Sequence, residues 1–185
     1  MKAFIIAALV LLIPASILAQ PTLGVYFTYE PFNIYYSPNH MGEQFDGYLF
    51  GHNIDCYLTA IEFQLVIGNP SIQLSGTTLL DGWINLGDPL IGMSISGWPP
   101  LDGWNPGYNL LAVFHFLAVD FCECYGGTLV GVPIQIVPHP DTGTISGTCW
   151  PDNSLFPFIG LSSVICPVGT ATQESSWGAI KSMVD

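Results

Sequence analysis

The sequence predicts an all-β fold in which two sheets close face to face around an apolar interior. Three observations point there: one segment alternates cleanly between apolar and polar residues, Gly and Pro clusters cut the chain into short extended runs, and no long amphipathic helix follows residue 19. The alternating segment is Tyr57 to Ile67, with Ile61, Phe63, Leu65 and Ile67 on one face and Glu62 and Gln64 on the other. Side chains on a strand point alternately to its two faces, so this pattern predicts one buried face and one wet face. Short strands between Gly and Pro turns are the signature of a sandwich of immunoglobulin-like type.

Taken in order, Leu23 to Glu30 is rich in aromatic and aliphatic residues and reads as a first strand stopped by Pro31. Ser37 to Gly47 is polar and turn-prone. Tyr57 to Ile67 is the alternating strand, Gly68-Asn69-Pro70 the turn after it, and Ser71 to Leu80 the next extended run. From Leu80 to Gly107 the chain is dense in Gly, Pro, Asp and Trp, so strand is expected there only over about Leu90 to Gly97, with long loops around it. Tyr108 to Val119 is apolar on both faces, which marks a strand inside a sheet rather than at its edge. Leu129 to Val137 is a further strand ended by Pro138 and Pro140, and Thr144 to Cys149 follows the Asp141-Thr142-Gly143 turn. The one helical candidate is the tail, where Trp177, Ile180 and Val184 recur at helical spacing within Glu174 to Val184.

The ends of the chain divide from this body. Lys2 followed by the apolar Ala3 to Leu12, Pro14 and the small residue Ala19 is the pattern of a secretory signal, which places the mature start at Gln20. The run is interrupted by a proline and is shorter than the roughly 20 residues a membrane-spanning helix needs, and no cysteine follows it to take a lipid. The expected organisation is therefore a signal peptide over 1–19, a β-sandwich domain over 20–173 and a tail over 174–185. The expected location is extracellular or at the cell surface, with no insertion in a membrane after the signal is removed.

Charge excludes whole classes of partner. The chain has fourteen Asp and Glu against two Lys and no Arg, a formal net charge of −12. Proteins that grip phosphate use Arg or Lys, so nucleic acid and anionic lipid are not partners. Only 9% of residues are charged, against about 25% in an ordinary domain. Much of the exterior must then be hydroxyl, amide and aromatic, a surface open to association unless the net negative charge keeps copies apart.

Five cysteines, Cys56, Cys122, Cys124, Cys149 and Cys166, fall after the signal, and export makes them disulfide candidates. The expected pairing is Cys149 with Cys166, and Cys56 with Cys122 or Cys124, one thiol remaining. Cys-x-Cys is neither a redox Cys-x-x-Cys nor a zinc knuckle.

Several short motifs carry a resemblance. Gly24-Val25-Tyr26-Phe27, the run Gly82 to Gly87 leading to Ile91-Gly92-Met93, Val137-Pro138-His139-Pro140, and the tail Ser176-Trp177-Gly178-Ala179-Ile180-Lys181 resemble those of uncharacterised secreted bacterial β-sandwich proteins with a cohesin-like or immunoglobulin-like fold. The resemblance implies that fold and an exported habit, and no established activity. True cohesins bind a dockerin partner, yet no residue here matches a binding signature that can be carried over.

Candidate sites are few. Gly92-Met93-Ser94-Ile95-Ser96-Gly97 lacks the spacing of a nucleophile elbow and reads as strand. His40, Glu43, Asp46 and His52 match no metal motif and read as solvated loop residues. His115, between Phe114 and Phe116, reads as a hydrogen-bonded histidine inside the sandwich, and His139 as a strand-end residue. No cofactor is expected; were calcium bound, the loop carboxylates Asp81, Asp88 and Asp102 would be its donors. The repeat Leu80-Asp81-Gly82-Trp83 and Leu101-Asp102-Gly103-Trp104, with Trp98 between, is the one candidate ligand platform: Trp83, Trp98 and Trp104 for sugar faces, Asp81 and Asp102 for hydroxyls. The function expected is non-enzymatic contact, with a protein partner or with further copies of the chain. A carbohydrate-binding module is the first alternative, and a hydrolase whose site leaves no motif the second.

Overall fold

The computed structural model describes residues 20–30, 33–103 and 107–167, so the signal segment, Trp104 and the tail lie outside the described residues. In chain order the strands are β1 (Thr22–Tyr26), β2 (Tyr35–Tyr36), β3 (Gln44–His52), β4 (Tyr57–Ile67), β5 (Ile72–Leu79), β6 (Trp83–Asp88), β7 (Gly92–Asp102), β8 (Tyr108–Ala118), β9 (Val132–Val137), β10 (Ser146–Trp150), β11 (Ser154–Pro157), β12 (Ile159–Gly160) and β13 (Ser162–Ile165). One 3-10 turn, Glu123–Tyr125, is the only helical element among the described residues.

Two sheets form. The first runs β12-β1-β3-β8-β5. The second runs β11-β10-β4-β9-β13-β2, and β7 and β6 extend it from the other edge of β4. Both β10 and β9 pair with β4, at Tyr57 to Glu62 and Gln64 to Ile67 respectively. They take up consecutive stretches of β4, and the excursion over 138–145 leaves the sheet between them.

Alternation along β4 decides which layer each residue joins. Leu58, Ile61, Phe63 and Leu65 are buried, together with Met93 and Ile95 of β7 and Ile134 and Ile136 of β9. They meet Leu23, Val25, Leu49, Leu111, Phe114 and Phe116 of the first sheet. Phe63 and Phe114 touch edge to face across the gap, with centroids 6.4 Å apart. Burying a ring of this size contributes about 2–3 kcal/mol.

The strands expected from periodicity appear as β1, β4, β5, β8, β9 and β10 with ends moved by a few residues. Two expectations are corrected. The turn-prone Ser37 to Gly47 runs into β3, and although the strand expected over Leu90 to Gly97 appears as the first half of β7, the loops expected on either side of it are strand as well: β6 before it, and β7 continuing to Asp102. Both errors have one physical cause: several glycines there are places of close approach. A Cβ on Gly47 would stand 2.6 Å from the Phe116 ring and 2.7 Å from Val25, and one on Gly87 in β6 would stand 2.3 Å from the Gly92 carbonyl oxygen of β7. The sequence signal of a turn and that of a tightly packed strand are the same residue.

The disulfide pairing is also corrected. Cys56 bonds Cys149 and Cys122 bonds Cys166, leaving Cys124 free and exposed. The first bridge closes the end of the antiparallel β4–β10 pair: Cys149 lies on β10 opposite Leu58, and Cys56, just before β4, reaches it with the two Cα atoms 5.8 Å apart. Cys149 and Cys166 lie on β10 and just beyond β13, which β4 and β9 separate.

Candidate functional site

Register turns the outer face of the second sheet into rows of side chains. Across β6, β7, β4, β10 and β11, one row reads Leu86, Ser94, Glu62, Ser146, Pro157, and the next reads Ile84, Ser96, Ala60, Thr148, Leu155. The middle of the face is thus small or hydroxyl-bearing. Its margins carry the exposed apolar residues Ile84 and Leu86 on one side and Leu155 on the other. Glu62 is the single carboxylate in these rows; Ser94 Oγ donates to it over 3.3 Å.

One end of the face is aromatic. Trp98 is 62% exposed, Trp150 46% and Tyr57 42%. The Trp98 and Trp150 centroids lie 6.0 Å apart at 74°, and those of Tyr57 and Trp150 lie 6.2 Å apart at 72°. Tyr57 and Trp150 each follow a cysteine of the Cys56–Cys149 bridge, so the disulfide fixes their backbones side by side. Next to this corner a hollow of ≈ 390 Å³ opens over β10 and β11. Glu62, Ser146 and Thr148 form its floor, Thr142 and Thr144 of the 138–145 excursion one wall, and Leu155, Phe156 and Pro157 the other.

The field over the face is negative, since neither Lys nor Arg occurs among the described residues. Asp102 lies opposite Tyr57 at the aromatic end. Asp152, in the turn between β10 and β11, accepts from the backbone N–H and hydroxyl of Ser154, which holds its carboxyl below the usual range.

The structure separates the residues of the expected platform. Trp83 points into the core at 7% exposure, packed over Gly97, whereas Trp98, one residue further along β7, is on the outer face. Asp81 sits in the exposed turn closed by the Trp83 N–H to Leu80 carbonyl bond. Trp104 lies outside the described residues. Trp150 and Tyr57, which sequence reasoning left aside, are the rings that join Trp98; the signal was present in Cys149-Trp150 and Cys56-Tyr57, had the bridge been known. Asp81 and Asp88 flank opposite ends of β6, about 20 Å apart at strand rise, so the candidate calcium donors do not converge.

Elsewhere, the four residues weighed as metal donors do not converge: His40 Nε2 lies 3.7 Å from Glu43 Oε2, but Asp46 and His52, expected in a loop, lie on β3 and turn to other partners. Glu43 accepts from the Tyr36 hydroxyl and the Asn39 N–H, at 2.7 and 2.9 Å. His52 stacks on Tyr108 at 4.5 Å. Asp46 Oδ1 and His115 Nδ1 are 2.8 Å apart, and His115 Nε2 and Thr78 Oγ1 are also 2.8 Å apart. His115 therefore faces outward on the first sheet and not into the sandwich, as the sequence suggested. The order carboxylate, imidazole, hydroxyl is that of an acyl-transfer triad, but here it spans three neighbouring strands, β3, β8 and β5, on an open sheet face. It acts as a cross-strand clasp.

No protein-family model and no curated protein matches the sequence. Among solved structures the chain is similar to the cohesin module of a family 33 glycoside hydrolase from Clostridium perfringens, at TM-score 0.55 and 9% identity over 80% of this chain and 98% of that one. It is similar to CaCohA2 from Clostridium acetobutylicum, at TM-score 0.52 and 12% identity over 82% and 94%. It is also similar to the sixth cohesin of scaffoldin B from Acetivibrio cellulolyticus, solved in complex with a Cel5 dockerin, at TM-score 0.52 and 7% identity over 80% and 99%. At these identities the likeness establishes a cohesin-like β-sandwich and carries no residue across.

Proposed function

We propose that this cohesin-like β-sandwich is a non-enzymatic contact module, exported or held at the cell surface, which receives a partner protein on the β6–β7–β4 part of its outer face. The observation that carries the proposal is the exposed pair Ile84 and Leu86 beside the low, hydroxyl-bearing ground of Ser94, Ser96 and Ala60. Small side chains let a partner approach closely, and apolar residues at the margin supply contact area with few charges to desolvate.

Charge favours a different protein over a second copy. Copies of a chain at −12 repel each other at low ionic strength, while a partner bringing Lys, Arg or N–H donors meets Glu62 and the surrounding acidic field. Similar structures solved as cohesin–dockerin complexes support a contact role. Two disulfides support an oxidising location.

The test is capture from culture medium of the source cells by immobilised chain, compared between wild type and Leu86→Asp. A defined protein retained by wild type and lost at least tenfold with Leu86→Asp is expected. Equal capture by both, or a hydrolytic activity that vanishes with Glu62→Gln, overturns the proposal.

A further inference from the structure

The aromatic corner and the hollow beside it share Glu62 with the proposed contact surface but lie away from Ile84 and Leu86, and together they have the parts of a ligand site. We infer that Trp98, Trp150 and Tyr57, with the hydroxyl-lined hollow over β10 and β11, bind a soluble, uncharged oligosaccharide.

Sugar rings have C–H faces that pack on aromatic rings and hydroxyl rims that need donors and acceptors. The structure provides both within two residues of each other on one strand. Thr148, on the hollow floor, and Trp150 are two residues apart on β10, about 7 Å along the strand. A pyranose stacked at the aromatic corner would thus present its rim, or its neighbour in the chain, to Thr148, Ser146 and Glu62. A carboxylate can only accept, and the hydroxyls both donate and accept, so this floor is suited to vicinal sugar hydroxyls.

Three features narrow the ligand. Neither Lys nor Arg occurs among the described residues, and Glu62 faces the hollow, so a sulfated or uronic glycan would bring like charge into the site. The Trp98 and Trp150 planes meet at 74° rather than lying flat in one plane. An angled seat fits one bent or terminal stretch of a single chain and mismatches the level surface of a crystalline polymer. Finally, the Cys56–Cys149 bridge directly before Tyr57 and Trp150 pins the backbones that carry these two rings, which meet edge to face, and so lowers the ordering cost that weak sugar contacts must overcome.

Aromatic corners also receive proline-rich peptides; the hydroxyl floor and the carboxylate favour the sugar. The experiment is isothermal titration of the intact, disulfide-bonded chain with neutral hexasaccharides of xylose, mannose, glucose (β-1,4 and α-1,4 linked) and N-acetylglucosamine. Polygalacturonate, microcrystalline cellulose and a proline-rich peptide complete the set of probes.

Binding of at least one soluble neutral hexasaccharide is expected. It should weaken tenfold or more with Trp98→Ala and with Trp150→Ala and several-fold with Thr148→Val, and stay unchanged with Leu86→Asp. Trp98 and Thr148 are surface residues, so their variants carry the result even where Trp150→Ala fails to fold, and thermal unfolding verifies each variant. No binding of any neutral hexasaccharide at millimolar concentration overturns the inference. So does binding indifferent to Trp98→Ala and Thr148→Val, preference for polygalacturonate or microcrystalline cellulose, or a peptide that binds through the same residues while the sugars do not. Leu86→Asp keeps this outcome separate from that of the protein-contact surface, since either reading can fail while the other stands.

Discussion

Single residues show how one amino-acid type serves opposite ends. Gly42 has a positive φ of 82° and open space around it, the ordinary turn use, whereas Gly47 is a gap that Phe116 and Val25 fill. Gly47→Ala must push that ring or the strand aside, and the expected cost is about 1–3 kcal/mol, read as a lower denaturant midpoint at unchanged slope. Two tyrosines set the alkaline limit of stability. Burial, helped by its partner Tyr108, pushes the Tyr26 hydroxyl up to about 12, and burial with the Glu43 hydrogen bond raises Tyr36 as well. A raised folded-state value means the unfolded chain gives up its proton first. The contribution is therefore complete below the unfolded value of about 10 and is lost as pH rises toward 12. Tyr26→Phe should flatten part of that loss, measured as unfolding free energy between pH 9 and 12. On the acid side, burial pushes the Glu43 carboxyl up, but its hydrogen bonds from Tyr36 and Asn39 and the nearby His40 outweigh this and leave it lowered. Its contribution is present above the ordinary value of 4.5 and fades as pH falls through the lowered one, so Glu43→Gln should make acid unfolding less steep.

Elements fail or hold according to what pins their ends. Cys56–Cys149 joins residues 93 apart and Cys122–Cys166 residues 44 apart. The second fastens the stretch after β13 to the 3-10 turn that follows β8. Removing either pair by Cys→Ala at both positions should cost about 2–5 kcal/mol, while Cys124→Ser, at an exposed free thiol, should stay within about 0.5 kcal/mol of wild type. Peptide mapping without reduction should recover these two bridges and alkylate Cys124 alone; a Cys149–Cys166 peptide would refute the pairing. The elements themselves were partly legible. β4 could be read residue by residue because one face is wet and the other dry. Of the β6–β7 hairpin only the first half of β7 could, because the outer face mixes Ile84, Leu86 and Trp98 with Ser94 and Ser96 and the inner face includes Gly97, so neither face has a uniform polarity to read.

For the whole molecule, the charge imbalance sets solution behaviour. Sedimentation velocity at low ionic strength should give a monomer, and any self-association should appear only when salt screens the net charge of −12; a stable dimer at low salt would place contact between copies ahead of contact with another protein. The sequence by itself determined the all-β sandwich and the excess of acidic over basic residues, because alternation, turn residues and a census of charges are local or additive quantities. It also named Trp98. It could not say that Trp83 turns inward, that Trp150 and Tyr57 come to stand beside Trp98, or that Cys56 finds Cys149. Those are matters of strand register, within the β6–β7 hairpin for Trp83 and between segments about ninety residues apart for Tyr57, Trp150 and the two cysteines, and a slip of one residue would send a ring to the opposite face.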